Sequence, residues 1–225
     1  MLHRFTYVVL VLMFAVFAFA QEKDSLKETK PQKTESKKMS KEESKTKDVV
    51  VMETSMGTME IQLYPDKAPI TVENFLSYIK DKFFDGTIFH RVIDNFMVQG
   101  GGFTKDLKQK PTKPTIIIES DNGLKNDLGT IAMARTPDPN SATSQFFINV
   151  KDNSFLNFRS KTPDGWGYCV FGKVIKGMDI VNKIKVVKTG TQNGMGDVPV
   201  EPVMIKKVYV QGEKSEKKAE EKKSE

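Results

Sequence analysis

The sequence predicts a mainly antiparallel β-fold, closed or nearly closed, that carries two helices. Three observations lead there: an opening pair of β-type runs joined by a short glycine-containing loop, a succession of short apolar or alternating runs broken by Gly, Asn, Asp and Pro, and two stretches with helical spacing. No internal repeat is present.

Val49 to Thr54 and Thr58 to Tyr64 are rich in β-branched and apolar residues, and Ser55-Met56-Gly57 between them supplies the glycine that tight hairpin turns need. After Pro65 and Pro69, Thr71 is placed to cap a helix in which Val72, Phe75, Leu76 and Ile79 form one apolar stripe. From Thr87 onward the strand-like runs are Ile88 to Ile93, Phe96 to Gln99, Thr130 to Ala134, Gln145 to Val150, Gly167 to Gly172 and Val203 to Val210. A second helix over about Met178 to Ile184 brings Met178, Val181 and Ile184 to one side before the last strand. Within Gln145 to Val150, alternation puts Gln145, Phe147 and Asn149 on one face and Phe146, Ile148 and Val150 on the other.

The ends of the 225-residue chain read differently from its middle. Residues 1–20 have a positively charged start, an apolar run from Phe5 and small residues at Ala18 and Ala20, as a secretory signal does; an uncleaved membrane anchor is the other reading. Either places the domain outside the cytoplasm. Residues 21–47 are dominated by Lys, Glu, Ser and Thr and bury too little apolar surface to offset chain entropy, so a disordered tether is expected, with a frayed charged tail over 212–225. The globular domain is therefore expected over 48–211. Much of the basic character that gives a net charge of +6 sits in these ends, interspersed with acidic residues. That pattern argues for a solvated spacer and against nucleic-acid binding, while leaving contact with an envelope surface open.

The chemistry-bearing residues are few. Cys169 is the single cysteine, which excludes an intramolecular disulfide; it lies in an alternating run with no histidine nearby in sequence and reads as a buried small hydrophobe. With the leader set aside, His90 is the one histidine, too few for a histidine-based metal site, and Gln99-Gly100-Gly101-Gly102 lacks the Lys-Ser/Thr of a phosphate loop. Hydrolytic and nucleotide chemistry are thereby disfavoured. What remains distinctive is Phe89-His90-Arg91-Val92-Ile93-Asp94-Asn95-Phe96-Met97-Val98-Gln99-Gly100-Gly101, followed by Met133-Ala134-Arg135 and Ser144-Gln145-Phe146-Phe147-Ile148-Asn149.

The first of these stretches resembles the cyclophilin signature, and the later ones resemble that family's matching segments in order and spacing. Phe155-Leu156, Gly167-Tyr168-Cys169-Val170-Phe171-Gly172 and Gly177-Met178 extend the likeness over most of Val49 to Val210. The resemblance implies a closed eight-stranded antiparallel barrel with a helix capping each end, prolyl cis-trans isomerase activity without metal or other cofactor, and proline-containing polypeptides as substrates; nothing in the sequence suggests other than a monomer. It implies Arg91 and Gln99 as catalytic residues, and Phe96, Met97, Ala134, Arg135, Gln145, Phe147, Phe155, Leu156 and Tyr168 as the substrate-binding set. Phe155 and Tyr168 stand where the best-known eukaryotic members have tryptophan and histidine, as in bacterial members. A periplasmic home and weak cyclosporin binding, for want of an indole N–H, follow from that likeness. Arg135 replaces the asparagine that follows the alanine in those members, and its role is expected to lie in the backbone.

These residue types suit the reaction. The barrier to rotation about an X-Pro bond, about 18–20 kcal/mol, comes from amide resonance, and no bond is broken. A catalyst must grip the ring and favour the twisted amide, whose nitrogen can accept a hydrogen bond. Arg91, planar and permanently charged, is suited to donate it. His90, the next residue along the strand, is expected on the face opposite Arg91 as a hydrogen-bonded structural histidine. A proline-binding module or holdase without turnover is the alternative from another class.

Overall fold

A computed structural model describes residues 48–212. The expected leader, tether and nearly all of the charged tail lie outside the described residues. Ten strands form: β1 Val49–Thr54, β2 Gly57–Leu63, β3 Thr87–Ile93, β4 Met97–Thr104, β5 Thr130–Met133, β6 Phe146–Asn149, β7 Val170–Lys176, β8 Thr189–Gln192, β9 Met195–Pro199 and β10 Val203–Val210. The helices are α1 Pro69–Lys80 and α2 Met178–Lys185, with a 3-10 turn at Ser154–Leu156. Eight strands close into an antiparallel barrel in the order β1-β10-β3-β4-β6-β5-β7-β2, while β8 and β9 pair only with each other. Each of the eight expected strand runs became one barrel strand, though β4 extends through its glycines and β7 begins three residues late, after Tyr168 and Cys169.

The barrel interior is filled by the inward half of each alternating strand, including Val50, Met52, Ile61, Val98, Ile131, Phe146, Ile148 and Phe171. Helix α1 adds Phe75, fully buried, whose ring centroid lies 5.1 Å from those of Phe84 and Phe171 and 5.7 Å from that of Phe146. Burial of one such ring is worth about 1.5–3 kcal/mol. The helices sit at opposite ends. Chain exit from β2 at Leu63 leads into α1, whereas Ile180 of α2 packs against Gly57 at the other end of β2, so closely that a Cβ there would lie 2.4 Å from Ile180 Cδ1.

Two local expectations change. Helix α1 starts at Pro69 rather than after Thr71, and its cap comes from far along the chain. The Glu119 carboxylate accepts hydrogen bonds from the N–H groups of Ile70 (3.1 Å) and Thr71 (2.8 Å) and from the Thr71 hydroxyl (2.7 Å). A carboxylate at the first turn satisfies orphan donors and opposes the positive end of the helix dipole. Sequence reading also missed the β8–β9 hairpin. Its flanks are polar and glycine-rich, but Asn193 (φ +49°) and Gly194 (φ +79°) form the two-residue turn with both φ positive that Asn-Gly favours.

Candidate active site

Strand β3 departs from regular alternation where it matters. Phe89 and Val92 both belong to the barrel core although three positions apart, which simple alternation forbids. The register resolves this: Phe89 faces Gly100 and Arg91 faces Gln99, so His90 is the extra residue of a β-bulge. With residues 89 and 92 inward, His90 and Arg91 both turn outward. His90 is therefore not opposite Arg91, as alternation had implied. Its imidazole is 6% exposed, packs 4.6 Å from the Phe103 ring and has no hydrogen-bond partner at Nδ1 among the described residues. Burial first, then the neighbouring Arg91 charge, pushes its pKa down to about 4.

From Arg91 a row of outward positions crosses the barrel. Arg91 on β3 faces Gln99 on β4, Gln99 faces Phe147 on β6, Phe147 faces Ala132 on β5, and Ala132 faces Val170 on β7. The adjacent row pairs Ile93 with Met97 and Met97 with Asn149. Met97, Ala132, Phe147, Leu156 and Val170 make a second apolar cluster, separate from the barrel interior, with Ile93, Phe96, Leu124, Ala134 and Tyr168 packed against it. The outer barrel face thus carries an apolar patch bordered by a cation, and the expected face of β6 is the one that builds it.

The individual positions differ in how they serve this patch. Met97 and Phe147, 2% and 4% exposed, form its floor. Tyr168 meets Phe147 edge-on at 5.5 Å, and Phe155, 64% exposed, stacks on Phe96 at 5.6 Å as a rim. Gln99 Nε2 donates to Gln145 Oε1 at 3.0 Å, tying the two amides beside Arg91. The glycines of β4 make room for this: a Cβ on Gly102 would lie 2.6 Å from Gln145 Cγ, and one on Gly101 (φ +83°) 2.7 Å from the Phe146 ring. The Ala134 N–H donates to Gln145 O at 2.9 Å, so that donor is taken up within the protein.

Arg135 does more than its expected main-chain role. Its Nε donates to Gly167 O at 2.8 Å, Nη1 donates to Thr136 O and Pro137 O, and the guanidinium carbon lies 4.9 Å from the centre of the Tyr168 ring. That side chain braces the Tyr168 wall. Asp197 of the missed hairpin is a further neighbour, 3.9 Å from Arg91 Nε, with the two side chains 48% and 43% exposed. Cys169 is 4% exposed and its thiol is pushed up to about 11, chiefly by burial, which keeps it protonated and inert. Among the described residues no three His, Cys, Asp or Glu side chains come together as metal ligands would.

Residues 49–210 match the family described as cyclophilin type peptidyl-prolyl cis-trans isomerase/CLD. The chain belongs to this family. Among its cyclophilin relatives, peptidyl-prolyl cis-trans isomerase cyp18 of Streptomyces antibioticus is 59% identical over 163 residues, covering 72% of this chain and 98% of the relative. Peptidyl-prolyl cis-trans isomerase B of Escherichia coli K12 is 56% identical over 162 residues, covering 72% and 99%. A crystal structure of a cyclophilin from Cryptosporidium parvum, determined in the presence of the dipeptide Ala-Pro, superimposes with a TM-score of 0.59 at 26% identity, covering 72% of this chain and 98% of that one. The eight-stranded barrel with two helices is the cyclophilin fold, and Arg91, Phe96, Met97 and Gln99 of the signature stretch lie on its outer face while Phe89, Val92 and Val98 fill its core.

Proposed function

We propose that the outer-face patch is the prolyl site of this isomerase, with Arg91 as the catalytic donor. The observation that carries the reading is the transverse row that puts Arg91 and Gln99 beside the apolar floor of Phe147. A proline ring seated on Met97 and Phe147, between Phe96, Leu156 and Tyr168, presents its nitrogen at the edge of the apolar patch. Arg91 donates there to the nitrogen as its lone pair is released, or to the adjacent carbonyl, and this interaction is stronger in the twisted amide than in either planar isomer. The Gln99–Gln145 pair holds the polar edge in register. No nucleophile is required, because the reaction is a rotation.

The chain acts as a monomer on X-Pro bonds of exported polypeptides in the periplasm, assisting their folding. The basic start, apolar run and small residues of positions 1–20 support export, with retention at the inner membrane by an uncleaved leader as the alternative. Residues 21–47 serve as a spacer.

The test is the isomerisation rate of an X-Pro peptide followed by NMR exchange at low temperature. A charge-assisted hydrogen bond of about 1.5–3 kcal/mol corresponds to about 10- to 160-fold in rate, so Arg91→Ala should lower kcat/KM by that factor with the fold retained. Peptide binding without acceleration by the unmodified protein would instead make it a proline-binding module or holdase.

A further inference from the structure

The walls of the patch come from three separate stretches: Phe96 from the β3–β4 turn, Leu156 from the 3-10 turn and Tyr168 from the approach to β7. Behind them lie the side chains of Asn126, Asn149 and Asn153, at 0%, 0% and 1% exposure. Burial of an amide is costly unless its polar atoms are paired, so what these three bind is informative.

Their hydrogen bonds join one wall to the other, with Asn153 donating toward both sides. Asn153 Nδ2 donates to Phe96 O and to Asn149 Oδ1, both at 2.8 Å. Asn149 Nδ2 donates to Thr130 Oγ1 at 2.9 Å and to Asn126 Oδ1 at 3.2 Å. Asn126 Nδ2 reaches Leu156 O at 3.1 Å and Tyr168 O at 3.3 Å. The carbonyls at the two ends of the relay belong to residues whose side chains wall the patch.

The floor is held differently. Met97 and Phe147 lie on barrel strands and are fixed by the β4–β6 ladder. The walls lie off those ladders and have other ties: Val150 N–H donates to Phe96 O at 3.1 Å and Tyr168 N–H to Leu156 O at 2.9 Å. The asparagines are the link between opposing walls rather than their sole support. Stability alone does not explain them, because Asn153 Oδ1 is buried with no partner among the described residues, and a half-satisfied polar network is less favourable than an apolar filling.

We infer that Asn126, Asn149 and Asn153 are positioning residues that set the aperture between Phe96 and the Leu156–Tyr168 wall, and with it the ring size the site accepts. The inference rests on the patch being the prolyl site.

Kinetics of Asn126→Ala and Asn153→Ala with matched peptides, one carrying proline and one its six-membered homologue pipecolic acid, test it. Wider walls weaken the grip on the ring but leave Arg91 and Gln99 in place. KM for the proline peptide should therefore rise about fivefold or more with kcat within about twofold, and the preference for proline over pipecolic acid should fall at least about threefold. An unchanged ring preference, with or without a lower melting temperature, would reduce the network to a structural role and overturn the inference. If an alanine variant does not fold, Asn126→Ser and Asn153→Ser, which keep a shorter donor, give the same readout. Absence of turnover in the unmodified protein would sink the reading of the prolyl site itself, a separate failure.

Discussion

Acid should weaken this fold through a single buried imidazole. His90 takes up a proton in the unfolded chain near pH 6.5, whereas in the folded protein burial and the Arg91 charge push that event down to about 4. Between those values the unfolded state binds more protons, so stability rises with pH there and falls as pH is lowered. The contribution is fully in place above about pH 6.5 and is lost on descent to about pH 4. From the 1.36 kcal/mol equivalent of one pH unit, the loss between pH 7.5 and pH 4.5 is about 2.5 kcal/mol, a large fraction of a typical stability of about 5–15 kcal/mol. Urea unfolding at the two pH values measures it, and His90→Gln, which cannot take the proton, should show a pH dependence smaller by that amount. Carboxylate titration acts on both proteins and cancels in the difference. Equal pH dependence in the two would refute the account of His90 as a buried neutral group in the bulge. Since His90 stays neutral above about pH 6, isomerisation should be independent of pH from about 6 to 9.

Three further outcomes follow from particular contacts. Glu119→Ala strips three donors at the start of α1 of their acceptor and should cost about 1–2 kcal/mol by thermal or urea unfolding, with kcat/KM of the folded protein unchanged; an unaltered midpoint would show that water replaces the cap without loss. The half-exposed Arg91–Asp197 pair at 3.9 Å is worth about 1 kcal/mol at most, so Asp197→Asn should leave stability unchanged and shift kcat/KM by no more than about threefold. The shift should favour acidic peptides and vanish in 1 M salt, and a loss of tenfold or more would instead make Asp197 part of the catalytic machinery. Phe155→Trp restores an indole N–H at an exposed rim position stacked on Phe96 and should tighten cyclosporin binding, as titration calorimetry would register; no gain would mean that the donor is not what the site lacks.

The amino-acid sequence by itself determined the eight barrel strands, the two helices and the principal residues of the outer patch. Period-two alternation and turn chemistry act over a few residues and can be read without knowing the rest of the chain. Family likeness supplied the strand count of the closed barrel and the roles proposed for Arg91, Gln99, Phe96, Met97, Phe147, Leu156 and Tyr168, because motif order carries spatial information that local pattern lacks. The β8–β9 hairpin was legible only at Asn193-Gly194, since its flanks bury little and so show no alternation.

Only the tertiary structure decided where the bulge in β3 falls, and with it that His90 and Arg91 share a face. A one-residue insertion in a ladder is a property of two strands: the break in alternation at His90-Arg91 is visible in β3, but only the pairing with β4 says which residue is the extra one. The same holds for Glu119 capping a helix that begins fifty residues earlier, for Arg135 bracing Tyr168, and for the three asparagines. Each of these is a polar side chain whose partner is distant in sequence, and hydrogen bonds between distant segments exist only once the apolar core has brought those segments together.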